Sequence, residues 1–263
     1  MDMEFGLCIE MAFADLPFED RVKKAADCGF KNVEMWFVDM SFKGKPEQLA
    51  RIAQTHGITI TNTVIGSPDG SIGGGLTKPA NRRQWLDRAA MTIEFTKQAQ
   101  IPTTIVCTGN EVEGMSRSKM LASVIVGLEH TVEMAEKAGV TLLLEPLNTR
   151  YDHPGYFLTG SDAGAEICRK INSSRMKLLF DCYHMQIMEG DLVNHIGRNI
   201  DVIGHFHSAG VPGRHELYQG ETDYPFLLSQ IEKLGYRGVF GLEYLPSIDH
   251  EQSVRKTLAY LKQ

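Results

Sequence analysis

Lys137-Ala138-Gly139-Val140-Thr141-Leu142-Leu143-Leu144-Glu145-Pro146 is a helix end, a short apolar strand and a carboxylate placed where that strand stops. Glycine ends a helix readily because it takes the left-handed conformation without steric cost. An apolar run this short, bounded by glycine and proline, suits a buried strand better than a helix. The same punctuation recurs on both sides. Ala26-Asp27-Cys28-Gly29, Thr55-His56-Gly57 and Lys233-Leu234-Gly235 each close a helical pattern on glycine shortly before another strand-like run.

Strands are expected at 5–10, 32–36, 59–64, 103–107, 141–145, 177–180, 202–207 and 239–243. Helices are expected near 18–28, 46–56, 80–99, 117–138, 161–171, 187–197, 224–234 and 249–262. Uninterrupted alternation implies parallel strands, and 263 residues shared among eight units gives about 33 each, the size of a βα repeat. The predicted fold is a single (β/α)₈ TIM barrel spanning 1–263. An open dinucleotide-binding sheet would carry a glycine fingerprint after its first strand; Met11-Ala12-Phe13-Ala14-Asp15 stands there instead.

Composition narrows the function. The formal net charge of −6 and pI near 5.9 disfavour nucleic acid or an acidic membrane surface as partner. No apolar run approaches the ~20 residues of a membrane span, and the start lacks the basic-then-apolar pattern of a signal peptide. The five cysteines (8, 28, 107, 168 and 182) are dispersed without a C-x-x-C pair, which is the pattern of free thiols in a cytoplasmic protein.

Chemistry in such a barrel sits where the strands end. The fifth to eighth strands end in Glu145, Asp181, His207 and Glu243. Three carboxylates so close repel one another unless a cation lies among them, and oxygen-rich ligation with one imidazole suits Mn²⁺, Mg²⁺ or Co²⁺. His205 shares a face with His207 but lies deeper, so it is expected to support the ligand from behind. Asp181 alone could instead cap the helix starting near Tyr183. A cation chelating a carbonyl and the adjacent hydroxyl would stabilise an enediolate. Glu145 and Glu243 could serve as bases on opposite faces, inverting a centre, or one alone could move a proton between neighbouring carbons.

Glu145-Pro146-Leu147-Asn148-Thr149-Arg150 with Gly155-Tyr156-Phe157-Leu158 resembles the hydroxypyruvate isomerase family of xylose-isomerase-like barrels. So do the stretch from Asp181-Cys182-Tyr183-His184 to Leu192, the stretch from Gly204-His205 through Val211-Pro212-Gly213-Arg214-His215-Glu216, and Gly241-Leu242-Glu243-Tyr244. The resemblance implies Glu145 and Glu243 as acid–base pair and ligands, with Asp181 and His207 completing the metal shell. It also implies His184 and Arg214 as substrate-orienting residues, a small sugar or keto-acid substrate, and a homo-oligomer, dimer or tetramer. The family tends to carry Gln where His207 falls, whereas the related ketose 3-epimerases carry His. Hydroxypyruvate-isomerase-like aldose–ketose isomerisation is therefore the first expectation and ketose 3-epimerisation the alternative, with a metal-dependent dehydratase or a non-catalytic sugar-binding protein behind them.

Two further features have two readings each. The glycine-rich loop 66–76 could be a flap over the mouth or an idle surface loop. Glu34, Trp36 and Cys107 could line the pocket, Trp36 and Phe37 as an apolar wall, or simply pack in the core. Cys182 has no evident base partner and is not expected to act as a nucleophile. A nuclease of the apurinic-site type would need additional histidines on the early strands and a basic DNA-facing surface; the second and third strands contain no histidine, and the net charge is negative.

Overall fold

The computed structural model describes residues 3–263. The first half runs β1 (Glu4–Cys8), α1 (Phe18–Asp27), β2 (Asn32–Glu34), α2 (Pro46–Thr55), β3 (Thr59–Ile60), β4 (Asn62–Val64), α3 (Arg82–Gln98), β5 (Thr103–Val106) and α4 (Arg117–Ala138). The second half runs β6 (Thr141–Leu144), α5 (Ser161–Ile171), β7 (Met176–Asp181), α6 (Cys182–Met188), α7 (Leu192–Asn199), β8 (Ile203–Ser208), α8 (Tyr224–Lys233), β9 (Val239–Leu242) and α9 (His250–Leu261).

Every strand pair is parallel, in the order β3-β2-β1-β9-β8-β7-β6-β5-β4. The two end strands are consecutive pieces of the third expected strand, so the sheet curls round until its edges meet. This is the predicted TIM barrel. The break falls at Thr61, whose N–H donates to Val33 O (2.9 Å) while Met35 N–H donates to Asn62 O (3.3 Å), carrying the ladder across it. The glycine stops stand as expected, with Gly29, Gly57, Gly139 and Gly235 all at positive φ. Side chains of Ser116, Asp223 and Asp249 accept backbone N–H groups at the starts of α4, α8 and α9, meeting donors a helix cannot satisfy internally.

The helix expected at 187–197 is replaced by two. α6 begins directly after β7 and stops at Met188; α7 begins at Leu192. Between them Gly190 and Asp191 take positive φ, and the Glu189 carboxylate turns away to accept Ser161 N–H (2.9 Å) and Ser161 Oγ–H (2.7 Å) at the start of α5.

β7 and β8 are brought into phase by an irregularity. Leu178 pairs Ile203 and Leu179 pairs His205, so Gly204 is skipped and Asp181 comes to stand opposite His207. On the outside, Trp85 of α3 is fully buried, its indole N–H bonded to Thr131 Oγ1 of α4 (3.0 Å), and it packs so closely on Gly66 that a Cβ there would lie 2.9 Å from the ring. Trp85 thus anchors the loop after β4 to the helical layer. Trp85→Ala is expected to remove about 3–5 kcal/mol of stability; urea unfolding should show a lowered midpoint, and an unmoved midpoint would refute the anchoring role.

Candidate active site

The carboxyl ends of β2, β6, β7, β8 and β9 converge on one buried cluster. Glu145, Asp181, His207 and Glu243 each offer a ligand atom within 4.8 Å of the others. All four side chains are buried. His207 Nδ1 lies 3.6 Å from Glu145 Oε1 and 3.6 Å from Glu243 Oε2, with no hydrogen-bond partner among the described residues. A buried imidazole nitrogen without a partner, ringed by carboxylate oxygens, has the chemistry of a divalent-cation cradle. Glu145 itself stands one residue past β6, its main-chain oxygen accepting the Tyr156 hydroxyl (2.9 Å).

Asp181 is both cap and candidate ligand. Its Oδ1 accepts the N–H groups of Tyr183 (2.7 Å) and His184 (3.1 Å) at the start of α6, which leaves Oδ2 turned to the cluster, 3.6 Å from His184 Nε2.

Behind His207 lies Glu34. Its Oε2 is 2.9 Å from His207 Nε2, and its Oε1 bonds His205 Nε2 at 2.7 Å. A carboxylate on the far nitrogen fixes the ring and directs the other nitrogen outward. His205 therefore lies behind the cluster, as its depth on the strand implies. Sequence reasoning placed Glu34 only as a possible pocket-lining residue. The available signal was glycine: Gly241 and Gly6 flank it in the barrel interior, where a Cβ on Gly241 would come within 2.6 Å of Glu34 Oε1 and one on Gly6 within 3.2 Å.

The two glutamates differ in their surroundings. Glu243 Oε1 accepts the Trp36 indole N–H at 3.0 Å, and its Oε2 pairs with an Arg214 guanidinium nitrogen at 2.5 Å. Trp36 is thus a hydrogen-bond donor as well as a wall. Burial pushes the Glu243 carboxyl up, but His207 and Arg214 outweigh it and hold it well below the usual range. Glu145 has no such donors: burial raises its carboxyl, and His207 offsets this only in part. For Glu34, burial is again outweighed by His207 and His205, which hold it at about 2. Asp181 is pushed up to about 7, first by burial and then by the charge of Glu145.

Above the cluster opens a cleft of about 210 Å³. Trp36, Phe37, Val64, Ile105 and Leu147 make it largely apolar, while Glu145, Glu243, His184, His153 and Arg214 supply its polar groups. Arg214 reaches it from a strained turn, with φ +59° after Gly213 at +95°. Its guanidinium lies 5.3 Å above the Tyr183 ring, and its buried Nε has no partner. Ser67 and Pro68 bring the start of the 66–76 loop to the rim. That loop is internally bonded, Ser67 Oγ to Asp69 (2.6 Å) and Ile72 N–H to Ser67 Oγ (2.8 Å), so the part at the cleft is a built wall. Cys182 is fully buried, and burial raises its thiol pKa far above the usual value, against a nucleophilic role.

Residues 22–263 match the family model described as xylose isomerase-like TIM barrel. Over 244 residues the chain is 33% identical to a 2-oxo-tetronate isomerase of Cupriavidus necator, covering 92% of each chain. It is 30% identical over 254 residues to a hydroxypyruvate isomerase of Escherichia coli, covering 96% of this chain and 97% of the other. Among solved structures, a Brucella melitensis protein described as an AP endonuclease, family 2, has a TM-score of 0.89 at 29% identity, with 98% and 99% coverage. An L-ribulose 3-epimerase shares the fold at a TM-score of 0.85 and 20% identity, with 99% and 93% coverage.

The raised Asp181 carboxyl has a consequence for the metal-free protein. Its folded value of about 7 lies above the 3.8 of an ordinary aspartate, so its contribution to stability is present below about pH 4 and is lost as pH rises through 7. Asp181→Asn keeps a capping side chain and removes the charge. In excess chelator, its stability relative to the parent should therefore grow between pH 4 and pH 8. Urea melts across that range test this; a difference that stays flat would refute the buried-charge assignment.

Proposed function

We propose, from the premise that this chain belongs to the xylose isomerase-like TIM barrel family, that it is a divalent-metal-dependent isomerase of short 2-oxo acids of the hydroxypyruvate type. Its close relatives in sequence are named isomerases, and an isomerase or epimerase it is. The observation that carries the finer assignment is the inequality of Glu145 and Glu243. Both oxygens of Glu243 are engaged by Trp36 and Arg214, so it is a poor base. Glu145, buried without such donors, holds a proton more readily. One competent base moves a proton between neighbouring carbons; inversion by two opposed bases would need two.

In this reaction Glu145 takes the proton from C3 of the 2-oxo acid and returns it to C2, while the hydroxyl proton passes from O3 to O2. The carbonyl thereby moves from C2 to C3 through an enediol, with no net gain or loss of atoms or electrons. Glu145, Asp181, His207 and Glu243 would hold the cation, which when bound supplies Lewis acidity to the two oxygens between which the charge shifts. Glu34 holds His207 for that task. Arg214 offers its guanidinium to the substrate carboxylate. His184, in the floor of the cleft, faces a substrate oxygen with Nε2. The apolar wall from Trp36 to Leu147 excludes water from the enediol.

A ketose 3-epimerase is the second reading, favoured by His207 and by the shared fold of the epimerase structure. A nucleic-acid activity is not adopted: the net charge is −6, and the cleft is a largely apolar pocket of about 210 Å³.

The test is proton NMR in D₂O of the Mn²⁺-treated protein, diluted before each spectrum, with hydroxypyruvate, 2-oxo-tetronate and a panel of ketoses. Conversion of the 2-oxo acids with ketose C3 centres untouched is expected. Glu145→Gln should lose about 10²–10⁴-fold in turnover, and Arg214→Met should raise KM for the acids more than it lowers kcat. An inverted, deuterated C3 in a ketose would establish the epimerase instead.

A further inference from the structure

We propose that Asn148 is a positioning residue that fixes His184 in the tautomer protonated at Nε2, so that the imidazole meets the cleft as a hydrogen-bond donor. The proposal rests on the assignment of His184 to a substrate oxygen made above.

Asn148 follows β6 by four residues and is fully buried, as is His184. Its Oδ1 accepts the N–H groups of Tyr151 (3.0 Å) and Asp152 (3.2 Å), so the amide cannot be reversed without setting N–H against N–H. Nδ2 is then the donor on the other side. It lies 2.6 Å from Asp152 Oδ2 and 2.7 Å from His184 Nδ1. The main-chain N–H of Asn148 also points at His184 Nδ1, at 3.3 Å. Two donors face this nitrogen, so it must offer its lone pair, and the ring proton belongs on Nε2. That nitrogen is buried with no hydrogen-bond partner among the described residues, 3.6 Å from Asp181 Oδ2. The ring plane is held by edge contacts with Tyr183 (5.2 Å) and His153 (5.4 Å).

Direction matters because the carbonyl oxygen gains negative charge as the C3 proton leaves. An N–H aimed at it stabilises that charge, whereas the other tautomer presents a lone pair and opposes it. Asp152 sets the polarity of the chain: its Oδ2 accepts both the Asn148 amide and the Tyr183 hydroxyl (2.9 Å).

The experiment exchanges amide and carboxylate. Asn148→Asp alone would set two carboxylates 2.6 Å apart, and its fold is expected to weaken. The double variant Asn148→Asp/Asp152→Asn restores one donor and one acceptor in that pair but turns an acceptor toward His184 Nδ1. Asp152→Asn alone is the reference, because it removes the same charge beside Arg214. Two-bond ¹⁵N–¹H correlation spectra of histidine-labelled, Mg²⁺-treated protein report the tautomer directly.

The parent and Asp152→Asn should both show a neutral, Nε2-protonated His184. The double variant should lose that pattern, melt closer to the parent than Asn148→Asp does, and fall about 10²-fold or more in kcat below Asp152→Asn. Any other His184 pattern in the parent overturns the proposal. So does its survival in the double variant, or its loss there with kcat unchanged. If the parent turns over none of the substrates, the proposed reaction fails, and the spectra alone then decide the tautomer.

Discussion

The rest of this structure depends on holding four carboxylates, Glu34, Glu145, Asp181 and Glu243, in one water-poor pocket. Each would keep its charge easily in water and loses that solvation here, so each needs a partner or a proton. The chain supplies few cations. His207 touches three of the four, and Arg214 pairs with Glu243. Main-chain N–H groups at the start of α6 serve one oxygen of Asp181. What is left uncompensated shows as carboxyls driven upward at Asp181 and Glu145. A divalent cation would relieve that residue of charge at one stroke, and it would do so at the point where His207 Nδ1 has no partner.

Much of this was legible in the sequence because parallel strands buried on both faces read as apolar runs, and a polar residue at the end of such a run is conspicuous. Leu142-Leu143-Leu144 before Glu145 and Leu178-Leu179-Phe180 before Asp181 are of that kind. Four ends on successive strands could be aligned by counting alone, since every strand rises toward the same mouth. The choice of His207 over His205 followed from depth along one strand, and the structure places the two rings on that logic, one behind the other against Glu34.

What escaped depends on tertiary phase and on hydrogen-bond direction. Glu34 sits in Val33-Glu34-Met35, a short strand where a buried acid and a surface acid look alike; the glycines that make room for it, Gly6 and Gly241, lie on two other strands. Trp36 was legible as an apolar wall, but its N–H finds Glu243 from 207 residues away, and composition cannot report such a bond. The β7–β8 phase shift at Gly204 is likewise invisible without the partner strand. The break between α6 and α7 did have a local signal in Gly190. It was masked because Glu189 leaves its own segment to cap α5, a contact made only in the folded chain.

The same pattern explains how one barrel mouth can serve either of two reactions. The candidate ligand set would serve either outcome, so it does not choose between them. On the proposed reading, the choice lies with neighbours that bias the two glutamates. An indole N–H and a guanidinium on Glu243 lower its proton affinity, whereas at Glu145 burial outweighs the His207 ring and the more distant Arg214. Removing donors from Glu243 would bring the two toward parity without moving any candidate ligand. Trp36 and Arg214 come from loops after β2 and β8, the parts of a barrel that vary most freely over a fixed core. On the proposed reading, a shift between moving a proton along the carbon chain and moving it across the plane of the enediol would then call for a different pair of side chains beside Glu243, with the barrel and the candidate ligands kept.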